Sequence, residues 1–96
     1  MKFKHDRKIE VHPGEVLEEL LHVLSVTQVT LAKKLGVTQS YISDIINGRR
    51  NMTAEMAFKL AAAVGLTADT WMNLQKNWEM SRVGPDIAKG IRKIAA

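Results

Sequence analysis

Residues 27–48 read Thr-Gln-Val-Thr-Leu-Ala-Lys-Lys-Leu-Gly-Val-Thr-Gln-Ser-Tyr-Ile-Ser-Asp-Ile-Ile-Asn-Gly, and one short signal occurs in and around them twice. Val26-Thr27-Gln28 precedes Leu31, Ala32 and Leu35, and Val37-Thr38-Gln39 precedes Ile42, Ile45 and Ile46. In each case the Thr hydroxyl can accept from an orphan N–H of a first helical turn. The apolar residue before the Thr can touch the one that begins the second turn, Val26 with Leu31 and Val37 with Ile42. Only Gly36, Val37 and Thr38 separate the two runs. A tight, glycine-containing corner between two short helices is the sequence form of a helix-turn-helix.

Working outward, the signal recurs at Met52-Thr53 before Ala57 and at Leu66-Thr67 before Trp71. Gly36, Gly48 and Gly65 each follow an apolar-periodic run and mark helix ends. Upstream, Leu17, Leu20, Leu21 and Leu24 fall at i, i+3, i+4 and i+7 behind His12-Pro13-Gly14, which predicts an amphipathic first helix. Downstream, Gly84-Pro85-Asp86 followed by Ile87, Ile91 and Ile94 predicts a basic amphipathic helix at the C-terminal end. Only the short stretch 8–12 alternates with period two. The predicted fold is all-α: an N-terminal extension over 1–12, a compact five-helix domain over 13–80 carrying the helix-turn-helix, and an additional C-terminal helix over 81–96.

Composition narrows the function. The 96 residues suffice for one modest core, and 46% hydrophobic with 25% charged residues is an ordinary globular balance. There is no cysteine, so neither a disulfide nor a thiolate metal site is available. No stretch approaches the roughly 18 apolar residues of a membrane span, and the expected location is cytoplasmic. A net charge of +4 favours a polyanionic partner. Acidic side chains gather at Glu15, Glu18 and Glu19, whereas Lys33, Lys34, Arg49, Arg50, Lys89, Arg92 and Lys93 lie in the middle and at the end.

The helix opening at Gln39 separates its residue types cleanly. On a helical wheel Gln39, Ser43, Asn47, Ser40 and Asp44 span about 140 degrees, with Tyr41, Ile42, Ile45 and Ile46 on the other arc. A merely solvated helix can show this split too. The polar arc, however, holds short amide, hydroxyl and carboxylate groups, without the Lys or Glu that usually fill a solvated face. Gln can address adenine, Ser several groups, and Asp the cytosine amino group, which makes Gln39, Ser40, Ser43 and Asp44 candidates for reading bases. Arg49 and Arg50 past the glycine turn, with Gln28 at the start of the preceding helix, can clamp phosphates.

Other readings have less to stand on. His5, His12 and His22 match no metal-ligand spacing, so no metal and no cofactor is expected, and His12 is expected to cap or orient the start of the first helix. Trp71 and Trp78 lie seven apart on one helix face, where core packing is favoured over a stacking platform for single-stranded nucleic acid. Asn51-Met52-Thr53 fits a glycosylation sequon, but the Thr is better used as a cap. No nucleophile is paired with a base and no glycine-rich phosphate loop occurs, so there are no candidate catalytic residues and no enzyme is expected.

The pattern Thr27-Gln28-x-x-Leu31-Ala32-x-x-Leu35-Gly36-Val37-Thr38-Gln39-x-x-Ile42-Ser43-x-Ile45-x-Asn47-Gly48 resembles the helix-turn-helix of the lambda/Cro-type (XRE) repressor superfamily. Three flanking motifs, His12-Pro13-Gly14-Glu15-x-Leu17, Asn47-Gly48-Arg49-Arg50-x-Met52-Thr53-Ala54-Glu55-Met56-Ala57 and Trp71-Met72-Asn73-Leu74-Gln75, are similar to those of HigA-type (VapI-like) antitoxins. The resemblance spans roughly residues 11–78. It implies a lambda-repressor-like five-helix core, a homodimer on a palindromic operator of double-stranded DNA, repression of its own operon, and neutralisation of a HigB-type toxin, a RelE-like ribonuclease. It also implies base reading by Gln39, Ser40, Ser43 and Asp44 and phosphate binding by Gln28, Asn47 and Arg49. Asp44 departs from the pattern, because many relatives carry a neutral or basic residue there. The alternative is a standalone XRE-family regulator with no toxin partner.

Overall fold

A computed structural model describes residues 10–95, and among these it contains helices and no strand. Five α-helices follow one another: α1 Pro13–Leu24, α2 Gln28–Leu35, α3 Gln39–Ile46, α4 Ala54–Val64 and α5 Ala68–Val83. Of the expected Lys8 to His12 alternation, Glu10, Val11 and His12 form no strand, and residues 8 and 9 lie outside the described residues.

Four of the five helices begin as their sequence directs. The hydroxyls of Thr27, Thr38, Thr53 and Thr67 accept from the N–H groups of Thr30, Tyr41, Met56 and Thr70 at 3.0 to 3.2 Å. Each satisfies a donor that no carbonyl in the helix can reach. Helix α1 uses His12 instead, whose Nδ1 accepts from Gly14 N–H at 2.8 Å, with Pro13 in the first turn. Val26 and Val37 pack against the core as their staple positions require, and Met52 and Ala57 are buried. Leu66 is different: it stands 45% exposed at a φ of 61°, and Trp71 instead donates from its indole N–H to the carbonyl of Gly65 at 3.0 Å.

The core joins all five helices through Leu17 of α1, Leu31 of α2, Ile42 and Ile45 of α3, Leu60 of α4 and Trp71 of α5, all fully buried. Helix α2 packs on α3, α4 on α5, and α1 lies against both α3 and α5. The helix-turn-helix is therefore held by α1 packed on α3 and by α4 packed on α2 rather than standing on its own.

The C-terminal end differs from expectation. Helix α5 runs on to Val83, past the expected limit at residue 80, and ends at Gly84 with a φ of 76°. Beyond it, among the described residues, only one 3-10 turn, Pro85–Ala88, stands where the additional amphipathic helix over 81–96 is expected. The reason is that the stripe has nothing to bury against: Ile87, Ile91 and Ile94 are 76, 77 and 95% exposed. An isolated helix of about a dozen residues is marginal in water, and this one would carry Gly90, here at a φ of 90°, in its interior.

Candidate nucleic-acid interface

The turn of the helix-turn-helix is closed by main-chain bonds. Gly36 takes the left-handed conformation, φ 73° and ψ 31°, and Val37 N–H returns to the carbonyl of Ala32 at 3.0 Å. This places Gln28 and Gln39, each the first residue of its helix, side by side. Gln39 Nε2 donates to Gln28 Oε1 at 2.8 Å. One N–H and the carbonyl oxygen of Gln39 remain free, which are the two groups needed for a bidentate contact with the adenine edge.

The rest of the polar arc divides into two. Ser40 is exposed and Ser43 half-buried one turn along the helix. Asn47, the last residue before the glycine turn, donates from Nδ2 to the carbonyl of Ser43 at 2.9 Å and to its hydroxyl at 3.2 Å. Asp44, expected to accept from a cytosine amino group, has its carboxylate engaged within the protein. Its Oδ1 accepts from Arg49 Nε at 3.3 Å, and Oδ2 lies 3.9 Å from Arg50 Nη2. Of the eight residues singled out from the sequence, the structure pairs Gln28 with Gln39, Asn47 with Ser43, and Asp44 with Arg49 and Arg50, and leaves Ser40 exposed without a side-chain partner among the described residues.

Three supports of this surface were not read from the sequence. Tyr41, assigned to the apolar arc, is only half-buried, and its ring lies 4.3 Å from the Arg50 guanidinium carbon. Gln75 on α5 is only 3% exposed, and its Oε1 accepts from Met52 N–H at 2.7 Å, anchoring the loop that carries both arginines. Its Nε2 donates to Glu79 at 2.8 Å, so the amide cannot turn over without losing both bonds. Gly14 of α1 approaches the carbonyl end of α3 so closely that a Cβ would lie 1.9 Å from Ile45 O. Gln75 offered one signal, its place four residues after Trp71 and hence on the same helix face. The others depend on contacts distant in sequence.

The expected places of His12 and Trp71 hold, whereas Trp78 lies at the edge of the core rather than in it. His12 is buried, its ring lies edge-on to Trp78 with centroids 4.6 Å apart, and Trp71 is fully buried. Trp78 is half-buried, with the Arg82 guanidinium 5.1 Å from its ring centroid. Burial, partly offset by the nearby Glu15 carboxylate, holds the His12 pKa below its ordinary value. His5 lies outside the described residues.

Comparison with known proteins agrees with this geometry. A family model described as helix-turn-helix matches residues 24–71, half of the chain. The chain is 37% identical over 82 residues to virulence-associated protein A' of Dichelobacter nodosus, covering 84% of this chain and 71% of that one. It is 42% identical over 66 residues to antitoxin HigA-1 of Vibrio cholerae, covering 68% of this chain and 62% of that one. Among solved structures, the Pseudomonas aeruginosa antitoxin HigA with its higBA promoter superposes with a TM-score of 0.78 at 30% identity, covering 88% of this chain and 98% of that one.

Proposed function

Because the chain belongs to the HigA-type (VapI-like) branch of the lambda/Cro-like helix-turn-helix superfamily, DNA-binding regulators and not an enzyme family, we propose that it represses its own operon and neutralises the toxin encoded there. The observation that carries the DNA reading is the Gln28–Gln39 pair, which fixes the amide of Gln39 at the exposed start of α3 with one donor and one acceptor unused. Gln39, Ser40 and Ser43 read base edges in the major groove. Gln28, Asn47, Arg49 and Arg50 engage phosphates on either side and set the register.

One eight-residue helix covers only a few base pairs, so the protein acts as a homodimer on a palindromic operator with half-sites about one helical turn apart. The unpartnered Met80, Val83, Ile87 and Ile91 at the C-terminal end supply apolar surface for such an association. Among the described residues no helix is long and apolar enough to cross a membrane, and the protein works in the cytoplasm beside its operator. The toxin is a HigB-type, RelE-like ribonuclease, for which the spare surfaces are the N-terminal segment and the tail after Trp78.

The test is titration of labelled DNA from immediately upstream of the gene, at two salt concentrations, with sedimentation of the complex. Gln39→Ala should lose discrimination between bases by about 5- to 150-fold, the range of one bidentate contact. Arg49→Ala should weaken binding to all sequences and reduce the salt slope by about one. A folded wild-type protein that binds its upstream DNA no better than random DNA ends the repressor reading. Failure to retain the product of the adjacent gene leaves a standalone regulator in place of an antitoxin.

A further inference from the structure

Asp44 is the one acidic side chain on the polar arc of α3. A carboxylate facing a duplex adds repulsion to binding that is driven by phosphate neutralisation. Its surroundings assign it a different role from the other residues of that arc. Arg49 donates to Oδ1 through Nε at 3.3 Å, Arg50 Nη2 stands 3.9 Å from Oδ2, and Arg49 N–H donates to the Asp44 carbonyl at 2.8 Å. Arg50 is held a second time by the Tyr41 ring. These contacts contribute little to the fold, because the arginine side chains are 63 and 47% exposed and ion pairs so open to water are weak.

What the contacts do is fix direction. A guanidinium carries five N–H donors in a rigid fork. Arg49 uses the one on Nε for Asp44, which leaves the terminal nitrogens for DNA with the plane of the fork already set. Arg50 has its plane set by Asp44 and the Tyr41 face together.

We propose that Asp44 is a specificity-determining positioning residue, which holds Arg49 and Arg50 in the arrangement that meets operator phosphates and penalises every other arrangement. The proposal rests on the DNA-reading function above. When Gln39 and the serines seat α3 on the operator, the phosphates come to arginines that are already placed. On other DNA no base contact fixes the register, and the arginines must leave Asp44 to follow the phosphates. That strands an unpaired carboxylate in a negative field. Asp44 therefore lowers affinity for non-operator DNA more than for the operator.

The test uses the full chain with Asp44→Asn and Asp44→Glu, on the upstream duplex and on a scrambled duplex of the same composition, at roughly 50 and 200 mM salt. Asp44→Asn should bind the scrambled duplex about 3- to 10-fold more tightly at the lower salt, with a salt slope steeper by about one, as expected for one freed guanidinium. Operator affinity should change less, so discrimination falls, and Asp44→Glu should restore much of it. Equal thermal melts of the three proteins exclude a folding effect. The proposal is overturned if Asp44→Asn weakens operator binding and relaxes preference at a single base pair, since Asp44 then reads a cytosine. It is equally overturned if both affinities stay unchanged. If the wild type does not tell the two duplexes apart, the DNA-reading function fails, and the proposal with it.

Discussion

At Gly14 the fold admits no side chain. The residue is buried in the first turn of α1 where that helix meets the end of α3, and a Cβ there would lie 1.9 Å from Ile45 O, 2.8 Å from Ile45 C and 2.9 Å from Ile46 Cα. All three are main-chain atoms of a helix, with no rotamer to escape into. Restoring an ordinary contact requires α1 and α3 to separate by about 1.5 Å, which loosens the core cluster that Leu17 shares with Ile42 and Ile45. Overpacking a dense core costs about 1–3 kcal/mol, and immovable backbone puts this case toward the upper end. The better helix propensity of alanine returns less than about 1 kcal/mol. Gly14→Ala is therefore destabilised by about 2 kcal/mol, a fall in Tm of about 8–16 °C for a domain of this size, read by circular dichroism. DNA binding should weaken as well, because the displaced atoms close the proposed reading helix. Gly36→Ala is the control: no atom lies within 4 Å of its Cβ, and only its φ of +73° is unfavourable. That variant should lose about 1 kcal/mol from backbone strain alone. An alanine at position 14 that melts within about 2 °C of the wild type refutes the close-approach reasoning.

Acidification tests His12. Nδ1 must be unprotonated to accept from Gly14, Nε2 is buried with no hydrogen-bond partner, and burial holds the folded pKa below the ordinary 6.5. The unfolded chain thus binds the proton more readily. The stability contributed is complete above pH 6.5 and is lost as pH falls from there toward the lowered folded value. The urea midpoint should drop between pH 7.5 and 5.5 by more in the wild type than in His12→Asn, which keeps a capping acceptor without titrating; equal drops would count against His12 as the cause. Gln75→Leu removes the acceptor of a buried N–H while keeping the volume, so it should cost about 1–3 kcal/mol. Faster hydrogen exchange at the Met52 amide is its signature, and an unchanged amide there would show that the loop does not depend on α5.

What could be read from the sequence was local chemistry. Four threonine caps and the Gly36 turn are decided within five residues, and each appears where the sequence puts it. Periodicity did less well, because an apolar stripe shows what a helix could bury and not whether a surface exists to receive it. Leu17 and Leu21 have α3 and α5 beside them and are buried, whereas Ile87 and Ile91 have no such neighbour and stay exposed without forming a helix. Ser25 ends α1 at a φ of 57°, a conformation that a non-glycine residue gives no sequence signal for. At the candidate interface, residue types were legible and partnerships were not. Gln28 and Gln39 are each legible as residues, but their bond spans eleven positions; the Asp44 carboxylate is legible as a group that can address a base, but nothing in a helical wheel shows a loop folding back onto it.

The same distinction decides how mutational data on the interface should be understood. Helix α3 has eight residues, too few to hold its shape unaided, so its geometry is supplied from elsewhere. Its start is fixed by Thr38 and by Gln28 of α2, and its end by the approach of Gly14 from α1. The arginine loop beyond it is tied to α5 through Gln75 and to α3 through Asp44. Substitutions at Gly14 or Gln75 should therefore lower DNA affinity and melting temperature together, without altering which base is preferred. Those at Gln39 should change preference at constant stability. Asp44 belongs to neither group: it should leave stability intact and alter the ratio of operator to non-operator binding, which separates a residue that places arginines from one that reads bases or one that holds the fold.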